Sequence, residues 1–599
     1  MLDIKKSKYH YALITLLCSL AYLNSLSASF HFDDNYVILK NNLVKDIHKL
    51  PQLLSDIFHR PLLKATFALN YYFGGENVLG YHIVNILLHI LVSTEVYILA
   101  RELSRKLLNE DQHYWFPLLT SLLFALHPLH TGSVTYIASR SSVMATAFYL
   151  LSFILFLRSE QPDRRGIYSL LATAVFVIAL GVKETVVSLP FVTVMYIFIS
   201  QGNLKASFRR YAPSVIPLLT VLGLYITARH LFLTGIVPVD RRIYEGLLPP
   251  YQYFLTELNV VVYYYLKWLL LPVGGPNVDP DIPAKTSIFE PSTLSALVIV
   301  VGLLALALII RRRWPLLSFS ILWYFITLAP TSSIFPLGDL AVERRVYLPS
   351  VGVFLIVGML LERGKRWLSA RTIVAIYSLL FLLMGYLTIE RNTVWKTEVT
   401  LWEDAARKSP NKVRVLNNRA YAYLQKGDLD TAERLFSELV SRFPEYPYGH
   451  NNLGTVYQMK GKIKEAIEEF RRAVILRPAN PLFRIKLGLA YEKAGLLEKA
   501  TEEFEVVLKL LPSEPRAYTL LASNLAKRGL YDRAIKLAKQ AIEIEPSNAL
   551  AYYILGYCNE MKGLFEEAVK NYKKALSLRP GWSLPHQRLI GIYKKQSLF

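Results

Sequence analysis

Six prolines recur at one interval, and that interval decides how the C-terminal part of the chain must fold. Pro410, Pro444, Pro478, Pro512, Pro546 and Pro580 each stand 34 positions after the last. Gly427, Gly461, Gly495, Gly529 and Gly563 keep the same step, as do Ala432, Ala466, Ala500, Ala534 and Ala568. A proline every 34 residues ends a helix, a glycine lets the chain turn between two helices, and a small alanine lets those helices approach closely. One such helix pair cannot bury its apolar face alone, so the pairs must stack into a solenoid. The register predicts five repeats over 411–580, a capping helix over 582–594 within a repeat domain of 411–599, and a connecting helix over 395–407 within the link 391–410.

The period and pattern match the tetratricopeptide repeat. Such superhelices present a concave face to an extended peptide or a second protein, so a protein or peptide partner is expected here. Tyr421, Asn452, Tyr457 and Tyr491 are candidates for that face, although aromatic residues at these positions more often fill the core.

Residues 1–390 have a different character. The chain is 53% hydrophobic with a mean hydropathy of +0.29, too apolar for a soluble enzyme of 599 residues. The reading is an all-α polytopic bundle in contact with membrane lipids. Many of the Lys and Arg residues behind the formal charge of +22 sit in short loops between apolar runs, as cytoplasmic loops require, which argues against nucleic acid as a partner. Lys5, Lys6 and Lys8 precede the first run without a small-residue cleavage site following it, so the run reads as a retained span with a cytoplasmic N-terminus. Eleven spans are expected, at 9–26, 78–100, 115–127, 143–157, 166–181, 186–200, 211–232, 294–310, 314–328, 346–361 and 372–388. Residues 44–73 read as helices on the membrane surface, with Ile57 and Phe58 on their apolar face, and 251–271 as a re-entrant element. This topology places the repeats outside the cytoplasm. Two cysteines, Cys18 and Cys558, make no disulfide framework. The absence of Asn-x-Ser/Thr sequons favours a bacterial or archaeal membrane, with the endoplasmic reticulum as the alternative.

Charged groups collect where the spans end on the non-cytoplasmic side. They are Asp33 and Asp34 after the first span, Arg60 before Pro61, His127 and His130, Arg140, Lys183 with Glu184, and Arg344 with Arg345. Charge near hydrocarbon is costly unless it is used or paired. Cations can hold a phosphate and stabilise charge as a bond to it breaks, and a carboxylate can take a proton from an acceptor hydroxyl. In an extended segment Asp33 and Asp34 point to opposite sides, so one of them is the base; Asp34 is preferred. Two histidines around Pro128 without further ligands make no metal site. No cofactor is expected beyond a lipid-linked sugar phosphate serving as donor substrate.

With these stretches in view, the chain resembles the transmembrane and tetratricopeptide-repeat-containing protein O-mannosyltransferases, and more broadly the GT-C glycosyltransferases. The resemblance rests on Phe32-Asp33-Asp34-Asn35, Arg60-Pro61-Leu62, Leu69-Asn70-Tyr71, Gly80-Tyr81-His82, His127-Pro128-Leu129-His130-Thr131, Lys183-Glu184 and Tyr347-Leu348-Pro349-Ser350. It implies a GT-C-like domain over 1–390 that moves mannose from a polyprenyl or dolichyl phosphate to Ser/Thr of extracytoplasmic proteins. Asp33 and Asp34 would be its acidic motif. Where the family tends to carry acids, this chain has Gly132 and Ser142. A GT-C transferase acting on a glycan or lipid, and a non-enzymatic membrane-anchored scaffold, are the alternatives to be weighed.

Overall fold

A computed structural model describes residues 2–55, 59–108, 115–200, 204–236, 247–272, 274 and 276–596. Ile57, Phe58 and the stretch 237–246 lie outside the described residues. Among the described residues there is helix and loop but no strand. The chain forms two compact units, Met1–Pro410 and Asn411–Phe599.

Helices form at all eleven apolar runs of the first unit. In order they are α1 (Leu2–Tyr22), then, after the helix α2 (Pro61–Gly74), α3 (Val78–Leu107), α4 (Phe116–Ala125), α5 (Arg140–Arg158), α6 (Arg165–Leu180), α7 (Leu189–Ser200) and α8 (Leu204–Ile236). The stretch expected to be re-entrant holds α9 (Pro250–Asn259), and α10 (Pro291–Ile310), α11 (Pro315–Leu328), α12 (Ser350–Gly364) and α13 (Ala370–Val394) follow. The last helix of the unit is α14 (Glu398–Lys408).

Length and composition do not by themselves support eleven full spans. Among the described residues five helices are long and apolar enough to cross a bilayer: Val78–Leu107, Ile137–Arg158, Arg210–Phe232, Pro291–Ile310 and Ala370–Val394. The helix α4 has 10 residues, about 15 Å of helix against a hydrocarbon thickness of about 30 Å. It stops where His127 caps a 3-10 turn opened by Pro128. Length is lost wherever the chain turns inside the bundle, and hydropathy alone does not register a turn.

Burial sorts the helices. The faces of α3, α4, α5 and α12 meet in one core with Phe124, Tyr149, Phe153, Trp323 and Phe354. At the rim, Leu379 and Leu382 of α13 are 70% exposed and Ile309 of α10 is 79% exposed. Bare aliphatic side chains of that size are tolerated where the surrounding medium is lipid. Residues 251–271 form α9 followed by a π-helical stretch, Val260–Leu266. Tyr253, Leu255, Glu257 and Asn259 are buried against protein.

The second unit holds five antiparallel helix pairs, from Val413–Lys426 with Leu429–Arg442 to Ala549–Met561 with Phe565–Leu578, and a final helix, Ser583–Gln596. Gly427, Gly461, Gly495, Gly529 and Gly563 all take positive φ, a conformation that a Cβ disfavours. The alanines of the same period are fully buried. A second small position emerges from packing: a Cβ on Gly488 would sit 2.5 Å from Phe504. Gly488→Ala should therefore overpack the third repeat and cost about 1–3 kcal/mol, whereas Gly591→Ala, with open space around its Cβ, should not destabilise. Hydrogen exchange across 481–510 in the intact protein reads the difference.

Candidate active site

The loop after α1 carries the acidic pair, and its two carboxylates have opposite surroundings. Asp34 is buried. One of its oxygens accepts the His31 N–H at 2.8 Å and the other accepts the Ala138 N–H at 2.7 Å. Burial pushes its carboxyl up to about 7, against the pull of those N–H groups and of His31, and the neighbouring Asp33 adds to the rise. Both oxygens are committed to holding the loop onto the turn that opens α5. Asp33 is exposed. Its N–H donates to the Tyr136 hydroxyl at 3.0 Å, which leaves the carboxylate facing solvent.

The backbone around this pair is strained. Phe32 and Arg60 are the non-glycine residues with positive φ among the described residues, at 42° and 58°. Such conformations cost on the order of 1 kcal/mol or more and persist only where contacts over-determine them. For Phe32 the contacts are ring edges on Tyr136 and Trp402. Next to it, His31 Nε2 donates to the Trp395 carbonyl at 2.7 Å, and His31 Nδ1 lies 3.1 Å from Glu398 of α14.

Several of the cations and histidines expected at a phosphate are fixed inside the protein instead. Arg140 is fully buried and donates to Asn85 (2.7 Å), Thr66 (3.1 Å) and the Tyr81 carbonyl (3.0 Å), with its guanidinium over the Phe67 ring. His127 spans the Leu269 carbonyl and the Leu129 N–H. His130 spans the Phe124 carbonyl and Ser350. Both rings are fully buried, so a ligand would have to displace core hydrogen bonds to reach them. Arg345 donates to the carbonyls of Leu340 and Asp339 and lies 3.7 Å from the buried Glu257, which ties its loop to α9.

Three expected groups, Lys183, Arg344 and the side of Arg345, do meet at one cleft. Lys183 donates to Ser142 at 2.8 Å and shares a narrow polar cleft with Arg344, Thr327 and Thr331. Burial pushes the Lys183 ammonium down to about 7, helped by the charges of Arg344 and Arg60 and opposed by Glu184. Arg344 stacks over the Tyr136 ring, 5.7 Å from its centroid. Arg60 reaches Glu184 at 2.7 Å. Burial alone would raise the Glu184 carboxyl, but Arg60 holds it below its ordinary value.

Glu184 also stands on the wall of a cavity of ≈ 1680 Å³ lined mainly by Phe191, Phe198, Ile226 and Phe335, with Arg229 on its wall. Arg229 donates to Tyr225 at 2.9 Å. Cations at a narrow cleft beside an apolar cavity match, in charge and polarity, a ligand with a phosphate head and a hydrocarbon tail. Among the described residues no three His, Cys, Asp or Glu side chains are grouped to hold a metal ion.

Tyr136 and Arg229 were not identifiable as site residues from sequence. Tyr136 links Asp33 to Arg344 only through the fold, and Arg229 reads as one more polar residue within an apolar run.

The repeat unit matches the family profiles described as "Tetratricopeptide repeat", over residues 399–450 and 519–582, and "TPR repeat", over 459–495. Across both units the chain is similar to Protein O-mannosyl-transferase TMTC3 of Mus musculus, 26% identical over 500 residues that make up 74% of this chain and 52% of the relative. The Homo sapiens TMTC3 is 26% identical over 72% of this chain and 51% of its own length. Protein O-mannosyl-transferase F38B6.6 of Caenorhabditis elegans is 24% identical over 72% of this chain and 62% of its own length. The chain thus spans roughly half to three-fifths of the length of these curated relatives. They support the likeness to the transmembrane and tetratricopeptide-repeat-containing O-mannosyltransferases. Among solved structures, MamA is similar to the repeats at 28% identity, covering 27% of this chain and 94% of MamA with a TM-score of 0.26.

Because Asp34 binds its proton more tightly folded than unfolded, its contribution to stability is full below the ordinary carboxyl range and is lost as pH rises through about 7. The melting temperature of Asp34→Asn, measured relative to wild type, should therefore rise between about pH 5 and about pH 8. A flat difference across that range would contradict the burial-driven shift.

Proposed function

We propose that this chain is an integral-membrane glycosyltransferase that moves a sugar, mannose by likeness to its relatives, from a polyprenyl-phosphate carrier to Ser or Thr hydroxyls of extracytoplasmic proteins. The observation that carries the reading is the cationic cleft of Lys183 and Arg344 beside a ≈ 1680 Å³ apolar cavity. The cations of the cleft, whose open volume is only ≈ 20 Å³, match a phosphate in charge, and the cavity has room for part of an isoprenoid tail. Tyr136 connects that cleft to the Asp33 segment.

In the proposed step the Asp33 carboxylate takes the proton of the acceptor hydroxyl as its oxygen attacks the anomeric carbon. The bond from that carbon to the phosphate oxygen breaks, and the electron pair leaves on the lipid phosphate. Lys183 and Arg344 stabilise the added charge. A single displacement of this kind inverts the anomeric centre. Asp33 takes the role that sequence reasoning preferred for Asp34, because an exposed carboxylate can reach a substrate and one with both oxygens on backbone N–H groups cannot. Arg60 and Arg229 would stand at the rim of the donor site, and Arg140, His127, His130 and Arg345 would support it from within. The basic N-terminus and the basic loops argue for Asp33 on the non-cytoplasmic side, and the repeats, entered through α14, would follow there and recruit the acceptor.

Purified protein given polyprenyl-phosphate mannose and an acceptor peptide tests the reading. Asp33→Asn should lower kcat by about 10²-fold or more, and Lys183→Ala should raise the KM for the donor. Full transfer by Asp33→Asn would overturn the assignment. Deleting 411–599 should abolish transfer to protein; if transfer to a small glycan survived unchanged instead, the acceptor assignment would be wrong. Since Lys183 loses its charge near pH 7, the donor KM of the wild type should climb above that pH, and Lys183→Arg should shift the climb to higher pH.

A further inference from the structure

We infer that Glu343, seated against Gly132 and paired with Arg391, positions the Arg344 turn, and that α14 thereby holds the arginine and the acidic loop in register. The inference deepens the donor-site reading proposed above and rests on it for the role of Arg344.

Glu343 opens a single 3-10 turn, Glu343–Val346, that follows extended Val342. It is 3% exposed. Its Oε1 accepts from Arg391 Nη2 at 2.6 Å, and Arg391 Nη1 donates to Asp404 of α14 at 2.6 Å. Asp404 also accepts from Lys408 at 2.9 Å and Arg407 at 3.2 Å. The other Glu343 oxygen is buried with no hydrogen-bond partner, and it lies where residue 132 would carry a side chain. A Cβ on Gly132 would be 2.6 Å from Glu343 Oε2 and 3.0 Å from Glu343 Cβ. Glycine at 132 is what leaves room for this carboxylate.

A buried charge triad of this kind is a poor source of stability, because desolvation offsets most of its attraction. What it supplies is geometry. A carboxylate held at 2.6 Å by a guanidinium and backed by a neighbouring helix has little freedom to shift, and Arg344 is the next residue along the turn. The same α14 fixes the acidic loop by other contacts: Glu398 faces His31 and accepts from Trp402, whose ring meets Phe32. Asp33 and Arg344 come from segments more than three hundred residues apart, and α14 is the element both are tied to. Glu343 and Arg391 act through Arg344 and are positioning residues.

The test uses two independent routes to the same displacement. Glu343→Gln keeps the shape and removes the charge, and Gly132→Ala keeps the charge and pushes it. Each should raise the donor KM about tenfold while acceptor KM stays within about twofold, since misplacement of a binding group by a fraction of an ångström costs one to two decades. Their effects should be less than additive in the double variant. Gly385→Ala, with nothing within 4 Å of its Cβ, should change neither constant. An activity-free arm labels arginines with phenylglyoxal in the full-length protein. Arg344 should react several-fold faster in both variants, while exposed Arg312 reacts as before. Unchanged donor KM and unchanged Arg344 labelling, even with a lowered melting temperature, would overturn the inference. If Glu343→Gln does not fold, Gly132→Ala alone decides. If wild type transfers no sugar while the labelling shift persists, the proposed reaction fails and the positioning inference stands.

Discussion

A buried carboxylate accepting two backbone N–H groups is the interaction on which the candidate site depends. Asp34 ties residue 31, in the loop after α1, to residue 138, at the entry of α5. An ionised group so deeply enclosed is expensive unless other charge lies near it. The charge that acts favourably on Asp34 is His31, while Arg140, buried among neutral acceptors, feels the field of Asp34. This is why residues that look catalytic in the sequence can be architectural: Asp34 fixes the path of the loop through two backbone N–H groups, and Arg140 joins α5 to α2 and α3.

With Asp34 and Arg140 committed to architecture, chemistry falls to groups that the fold leaves partly open. In the proposed reaction Asp33, Lys183 and Arg344 are the groups open to a ligand, whereas His127 and His130 are sealed in the core. Electrostatics favours the same division. Lys183 has a serine rather than a carboxylate within hydrogen-bond reach, so its charge is spent on no counter-ion at the cleft. Arg60, by contrast, is neutralised by Glu184 and serves best to shape the rim.

How much of this was legible in the sequence depends on the range of the interaction that encodes it. The repeats were legible because each rule acts within one helix pair: a glycine at positive φ, a proline past a helix end, an alanine under a neighbouring helix. The eleven helical runs were legible because apolar composition is local too. Span length was not, since Phe116–Ala125 ends where it does through a cap at His127 and a turn at Pro128. The collection of polar groups at span ends did not separate Asp33 from Asp34, whose difference in burial is set by the N–H of Ala138, a hundred positions away. Tyr136, Arg229 and the fit of Glu343 against Gly132 carry no local signature at all.

The strain at Phe32 follows from these ties. A residue with φ of 42° would relax if either neighbour were free, yet His31 is held by Trp395 and Glu398, and Asp33 is held by Tyr136. Between two fixed points the chain has one residue in which to reverse, and the backbone takes the left-handed conformation there although no glycine is available. The reversal turns the Asp33 side chain outward while Asp34 turns in. Alternation along a strand would separate the two carboxylates across a sheet; here a single strained residue separates them across a surface, one sealed beneath it and one presented above. Relaxing Phe32 would therefore not simply loosen the loop. It would blur the distinction between an acid that holds the fold and an acid that can meet a substrate.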